Sequence, residues 1–290
     1  MNTIENVNLA VKYSSKVAER FKMKSLSEGF VNHEYDWEGV KTVNVYSLPT
    51  VALTDYGTTG EGHSLMSRYG TPSDLTDTVQ TMTLTQDKAF TFTIDKGTKV
   101  DSMNVRGAGK ALRREIDEVI VPTEDKYVFG KLGAAAASNS MIGTGSLSKS
   151  NAYEKFLAGQ AALDNKLVPT GGRVAAVNAS TFALLKQDNS FILGSETGQK
   201  MLINGQVGTI DGVKIVKVPD SYLPENCQFI ITHPSVTVKA DKLKDYKIHD
   251  NPVGIDGNVV EGRVYYDAFV LDAKKDGVYA HYTSAPATSA

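Results

Sequence analysis

Residues 107–110, GAGK, contain the glycines and lysine of a phosphate-binding loop, in which backbone amides and a lysine surround phosphate. That loop also needs a glycine five residues before the Gly-Lys pair and Ser or Thr after it, but Asn104 and Ala111 occupy these positions. The dinucleotide-binding pattern fails as well, because Leu112 replaces its third glycine. We therefore interpret the small residues as a means of close helix packing.

Two other stretches match known catalytic motifs only in part. The segment GSETG at 194–198 resembles the nucleophile elbow of hydrolases, but Ser195 lies one position too early for G-x-S-x-G. His33 and Glu34 resemble half of a zinc-protease motif, yet no second histidine follows at the required distance. The five histidines are scattered along the chain. Without short spacings between them, a helical metal site is not predicted.

Neither cofactor nor metal is therefore expected, and the protein is not predicted to be an enzyme. The single cysteine, Cys227, excludes an internal disulfide and a thiolate cluster, and we interpret it as a small buried residue. Neighbouring carboxylates such as Asp117 and Glu118 are typical of solvated surfaces. Residues that are far apart in sequence can still meet in the fold and form a catalytic site that sequence spacing does not reveal.

Amino-acid composition limits the classes of protein to which the chain can belong. Hydrophobic residues at 41% and charged residues at 22% are ordinary for a soluble globular chain, which argues against disorder. No run reaches the roughly 20 apolar residues of a spanning helix, and Glu5 and Asn6 interrupt any signal peptide, so we expect a cytoplasmic product. A formal net charge of −2 removes the main force for high-affinity nucleic-acid binding, although a local basic face stays open.

The strongest helix pattern lies at 102–138. Its apolar residues recur three or four positions apart in the first half, and Pro122 predicts a kink or interruption before a second half through Ala137. A thinner amphipathic pattern at 3–24 predicts a helix that must dock on the body or on another subunit.

Strand patterns lie on both sides of the central helix. Residues 35–77 predict extended chain with a long loop rich in glycine, at whose foot Trp37 is interpreted as an anchor, with a ligand platform as the alternative. Period-two alternation at 81–85 and 90–94 predicts two strands, and residues 86–88 suit a hairpin between them.

The second half of the chain mixes both kinds of element. Residues 134–150 read as a linker, followed by a helix at 151–167 and a strand-to-helix unit in which Asn178 or Ser180 is the helix cap. Residues 207–218 give the sharpest hairpin pattern, around Asp211-Gly212. A long strand at 262–271, a turn and a returning strand at 278–282 complete a mixed α+β chain.

Five stretches in this order resemble the major capsid proteins of tailed bacteriophages with the Hong Kong 97-type fold. They are ENVNLAVKYSSKVAERF, YDWEGVKTVNVYSLPTVALTDY, TVQTMTLTQDKAFTFTIDK, GQVGTIDGVKIVKVP and EGRVYYDAFVLDAKKDGVYAHY, and the resemblance covers most of the chain. None of these stretches is a catalytic motif, so the resemblance lies in their order along the chain and in their general residue pattern.

The resemblance implies a division into five parts. They are an N-terminal arm at 1–33, an extended E-loop at 34–78, a peripheral domain with a long spine helix at 79–138, an axial domain at 139–256, and return strands of the peripheral domain with a C-terminal tail at 257–290. A long arm and loop bury little surface in one subunit, and neighbouring subunits offset the cost of ordering them.

The function implied is self-assembly through hexamers and pentamers into an icosahedral shell around double-stranded DNA, with only weak non-specific contact to that DNA. The other implied partners are a separate scaffolding protein and a portal protein at one vertex, with no membrane. The shell would be assembled in the bacterial host cytoplasm. Contacts between subunits are expected at Glu5, Lys12, Lys16, Trp37, Arg68, Tyr69 and Asp74.

Two departures from the family pattern carry expectations of their own. The chain starts almost directly at the arm, so we expect no proteolytic removal of an N-terminal scaffolding segment. The only lysine of the proposed loop, Lys41, lies near its base, so we expect a shell without covalent cross-links. The alternatives are an encapsulin-like nanocompartment shell and, more remotely, an α/β hydrolase-like enzyme or a β-rich surface-binding protein.

Overall fold

The computed structural model describes residues 25–35, 37, 40–48, 50–57, 68–70, 72, 74–97, 107–187 and 208–286. The strands in this part of the chain are β1 Thr42–Ser47, β2 Thr78–Thr83, β3 Gln86–Asp95, β4 Ile142–Thr144, β5 Val174–Asn178, β6 Thr209–Ile210, β7 Val213–Val218, β8 Cys227–Thr232, β9 Thr237–Asp250, β10 Gly257–Val270 and β11 Val278–Tyr282. The α-helices are α1 Ala108–Glu115, α2 Val121–Ser138, α3 Ala152–Asn165 and α4 Ala179–Gln187.

The central helix runs through Pro122 without ending. A π-helical turn, Ile116–Ile120, joins α1 to α2, and Pro122 lies in the first turn of α2. A proline has no N–H to donate, and its ring crowds the carbonyl of the preceding turn, so a wider turn at this point relieves the conflict. The predicted interruption thus takes the form of a local change of helix type just before Pro122.

A six-stranded sheet forms the larger layer, in the order β4-β11-β8-β5-β7-β6. Its centre is apolar, since every residue of β5 is buried. Asn178 then caps α4, because its Oδ1 accepts the Thr181 amide at 2.7 Å, as predicted. The predicted hairpin is also confirmed: Asp211 and Gly212 both have positive φ, which a two-residue turn of this kind requires.

A three-stranded sheet, β3-β10-β9, packs against the π turn and the adjoining helix. Gly262 in β10 lies opposite Phe90 in β3 and Tyr246 in β9. A Cβ on this glycine would meet the Phe90 ring, so the two aromatic side chains fill the space that a side chain there would need.

Four sequence-based predictions are wrong in detail. Residues 86–88 do not form a hairpin, because β2 pairs with β1 while β3 pairs with β10. Strand β11 does not return beside β10 but joins the six-stranded sheet between β4 and β8. The proposed linker at 134–150 contains the end of α2 and strand β4. A Cβ on Gly107 or Gly109 would meet nothing within 4 Å in the described part of the chain, so close packing does not explain them.

Candidate subunit interface

Residues 48–77 form a long excursion between two paired strands, and we call them the excursion loop. Strands β1 and β2 pair antiparallel from Thr42↔Thr83 to Ser47↔Thr78 and form its base. Further out, the amide of Gly57 donates to the carbonyl of Arg68 at 3.2 Å, and the Thr54 hydroxyl donates to the carbonyl of Tyr69 at 3.0 Å. The described residues of the two limbs therefore touch each other well beyond the strands.

The base of the excursion is fixed to the body by an aromatic pair and an amide side chain. Trp37 is buried, and its ring stacks on Phe269 with 5.5 Å between centroids. Gln80 donates from Nε2 to the Val270 carbonyl and accepts the Asp272 amide on Oε1, both at 2.9 Å. These contacts leave the root of the loop little freedom to change direction.

The excursion loop and the strands at its base expose many large apolar side chains. The exposed ones between positions 46 and 79 are Tyr46, Leu48, Val51, Leu53, Tyr56, Tyr69, Leu75 and Val79. Leu53 has a relative exposure of 101%, and the rings of Tyr56 and Tyr69 pack edge to face with centroids 5.1 Å apart. Exposed apolar side chains in such number are typical of surfaces that a partner covers.

The predicted contact residues differ in their exposure to solvent. Arg68, Tyr69 and Asp74 are exposed on the second limb of the excursion. Trp37 is buried instead, because its indole packs with Met82 and neighbouring core residues, so its position is that of an anchor rather than of a contact surface. The predicted contacts Glu5, Lys12 and Lys16 lie outside the described residues.

A buried ion-pair network lies where the N-terminal part of the chain meets the body. Lys239 of β9 is 2% exposed, and its ammonium lies 3.0 Å from Glu124 of α2 and 3.1 Å from Glu28. Burial alone would lower the pKa of Lys239, but attraction to Glu124 and Asp241 outweighs it and raises that pKa. The lysine is therefore charged at any physiological pH and joins three separate segments.

Asp267 holds the corner at which β2 gives way to β3. One carboxylate oxygen accepts the Thr85 amide at 2.8 Å and the Thr85 hydroxyl at 2.7 Å. The other accepts the Tyr127 hydroxyl at 2.7 Å and the Ala268 amide at 2.8 Å. Because Tyr127 lies on α2, this single buried carboxylate ties the excursion base to the central helix and to β10.

The histidines in the described ranges contact other residues of the chain, and the cysteine is buried. His33 lies 3.1 Å from Glu28 and His249 lies 3.3 Å from Glu261, both at the surface. Cys227 is buried as predicted, and burial raises the pKa of its thiol to about 12. Among the described ranges, no group of three or more His, Cys, Asp or Glu side chains is arranged to hold a metal ion.

Sequence reasoning missed the residues that hold this region together. Glu124, Asp125, Lys239 and Asp267 stand in amphipathic or alternating patterns that read as ordinary solvated charge. A weak sign was available for Asp267, which interrupts an otherwise apolar stretch of its strand. No helix of the described chain is long and apolar enough to cross a membrane.

Comparisons with known proteins agree on the fold. No family model matches the sequence, and no curated protein matches it. Among solved structures, one from Mycobacterium phage Che8 has 18% identity and a TM-score of 0.74, covering 98% of this chain and 100% of that chain. The capsid structure of the cyanophage P-SCSP1u has 12% identity and a TM-score of 0.67, covering 99% of this chain and 93% of the other.

A third structure, the asymmetric unit of the mature capsid of bacteriophage PhiM1, has 13% identity and a TM-score of 0.67, covering 96% of this chain and 92% of that chain. At such identities the likeness establishes the fold. The chain thus has the mixed α/β fold seen in these phage structures along nearly its whole length, as the sequence resemblance predicted.

Proposed function

We propose that this protein is a major capsid protein of a tailed phage, which assembles through hexamers and pentamers into an icosahedral shell around double-stranded DNA. The observation that carries the proposal is the likeness to phage structures over nearly the whole of both chains, two of which are described as capsids. A likeness over an isolated domain would leave other uses of the fold open, whereas here the excursion and helices are included.

The excursion loop supports the proposal on physical grounds. Fixing a residue costs roughly 1–2 kcal/mol of backbone entropy, and the exposed apolar side chains of this loop recover little of that within one subunit. Covering one such side chain on a neighbour contributes about 2 kcal/mol. Contacts between copies therefore supply what the isolated chain lacks.

The five-part division remains part of the proposal. The pairing of β1 with β2 at the root of a long loop is the arrangement that an E-loop at 34–78 needs. The run from α1 to α2 at 108–138 supplies a spine helix within 79–138. Between 257 and 290, β10 and β11 lie in different sheets, so this last part contributes to both.

The proposed partners follow from the same reading. The chain itself is the first partner, with contacts at Glu5, Lys12, Lys16, Arg68, Tyr69 and Asp74. A separate scaffolding protein, a portal protein at one vertex and weakly bound DNA complete the set. The virion capsid is the proposed location, after assembly in the bacterial host cytoplasm. No described residue or compared structure favours the nanocompartment shell or the hydrolase.

Electron microscopy of the purified chain, expressed with and without the products of neighbouring genes, tests the proposal. Closed shells, rings, tubes or spirals are the expected result, and shells that form only with a neighbouring product would identify a separate scaffolding protein. A chain that stays monomeric in size-exclusion chromatography under every condition would overturn the capsid assignment.

A further inference from the structure

The first helical turn of the described chain receives its cap from a distant element. The turn Ser27–Phe30 has no side-chain cap of its own at Leu26. Instead, Asp125 of α2 accepts the Leu26 amide at 2.9 Å and the Ser27 amide at 3.2 Å. Helix N-termini need an acceptor for such amides, and a carboxylate also complements the partial positive charge there.

The same carboxylate binds two hydroxyl groups. Ser25 Oγ and Ser27 Oγ each donate to Asp125 Oδ1 at 2.7 Å. Asp125 is 1% exposed, so four donors surround a buried charge that has been removed from water. Hydrogen bonds to a buried carboxylate are among the stronger ones, and leaving such donors unpaired is costly.

Later contacts attach the rest of this segment. The Phe30 ring meets Phe129 edge to face with centroids 5.2 Å apart, and Asn32 exchanges backbone hydrogen bonds with β9 at 2.8 and 3.0 Å. Asp125 is therefore the polar contact that holds residues 25–27, beside the partial packing of Leu26 on the core. If it were lost, the segment would stay attached at Glu28, through Lys239, and at Phe30, while the three residues before Glu28 lost their hydrogen bonds to the body.

We propose that Asp125 is a positioning residue for assembly: it fixes the point and direction in which the chain preceding Ser25 leaves the subunit. The proposal rests on the proposed function, in which that preceding chain meets a neighbouring subunit. Three freed residues would add an end-to-end spread of about 9 Å to the tether. A contact made through a looser tether has a lower effective concentration, so assembly requires more protein.

The experiment uses the full-length chain and three variants. Asp125→Ala removes every acceptor of the cap. The double variant Ser25→Ala/Ser27→Ala removes only the two hydroxyl donors, so it still tests the cap if Asp125→Ala fails to fold. Glu154→Ala, which removes an exposed carboxylate from α3, is the matched control.

Hydrogen exchange of unassembled subunits provides a readout that does not depend on shells. We expect the Leu26 and Ser27 amides to exchange at least tenfold faster in Asp125→Ala, with a smaller increase in the serine pair and none in Glu154→Ala. The exchange of β5 and β8 amides should stay unchanged. Unaltered exchange at Leu26 and Ser27 in Asp125→Ala would overturn the assignment of the cap.

Assembly is then measured by pelleting across a concentration series. We expect the concentration needed for shells to rise about tenfold in Asp125→Ala and to stay at the wild-type value in Glu154→Ala. Faster exchange with an unchanged assembly threshold would refute the positioning role. A wild-type chain that forms no assemblies, either alone or with the products of neighbouring genes, would instead refute the proposed function, and that result is seen without any variant.

Discussion

Leu53→Asp is the substitution that most directly tests the excursion loop as a contact surface. Leu53 has no cover in the isolated chain, with a relative exposure of 101%. Changing a fully exposed side chain alters the free energy of unfolding by no more than about 0.5 kcal/mol. Any large effect on assembly must therefore come from contacts between subunits.

The size of that effect follows from the area that a neighbour would cover. Burying a leucine side chain stabilises a contact by about 2 kcal/mol, and this contribution is lost in the variant. Since 1.4 kcal/mol corresponds to a factor of ten, the equilibrium constant of each such contact falls about 30-fold. Desolvating the new carboxylate adds to the loss, so 30-fold is the lower bound.

Assembly thresholds of Leu53→Asp and wild type are compared by pelleting and light scattering, with urea denaturation of the unassembled subunits as the check on folding. Leu167→Asp is the matched control, because Leu167 is 91% exposed but lies after α3, away from the excursion loop in sequence. Equal thresholds for Leu53→Asp and wild type, or an equal rise in both variants, would refute the reasoning.

Three further predictions concern the subunit itself and are measured by urea denaturation. Asp267→Asn should cost about 2–3 kcal/mol, because either orientation of the amide leaves the Thr85 or the Ala268 N–H without its acceptor; a loss below 1 kcal/mol would contradict this. Leu167→Gly should stabilise by about 1 kcal/mol, since Leu167 has a φ of 57° in a helix-ending turn that favours glycine, and a destabilised variant would show that the left-handed backbone is not strained. Burial lowers the pKa of His281, so the unfolded chain binds a proton that the folded chain excludes; stability should fall as pH drops below about 6.5, and this part of the slope should vanish in His281→Phe. An unchanged slope in His281→Phe would assign the acid sensitivity to other groups.

Local patterns in the sequence predicted elements better than they predicted partners. Alternation at 81–85 and 90–94 correctly indicated strands, because a period of two reflects one buried face. The same pattern does not record which strand lies alongside. Thr85 separates β2 and β3 into different sheets because Asp267, far along the chain, binds its amide and hydroxyl. A hairpin was the natural local choice, and a long-range contact prevented it.

The helix ending at Ser138 shows a similar limit. The alanines at 134–137 are as compatible with a flexible linker as with a helix when only small and polar residues follow. In the structure they continue α2, since Ala136 is fully buried and Gly133 lies against Pro224 and Tyr282. Small residues were required there because other elements approach the helix closely, and that requirement is visible only once the strands are in place.

The excursion loop and its base are specified by different features of the sequence, and only the loop could be predicted from the sequence alone. Its length and glycine content indicated a loop, but Gln80 and Asp267, which hold its base, bind donors and acceptors more than 180 residues away in sequence. Substitutions at this base should therefore weaken the subunit and its assembly together. Substitutions at Leu53 or Tyr69 should weaken assembly alone, because these side chains are largely exposed in the isolated chain and contribute little to its stability.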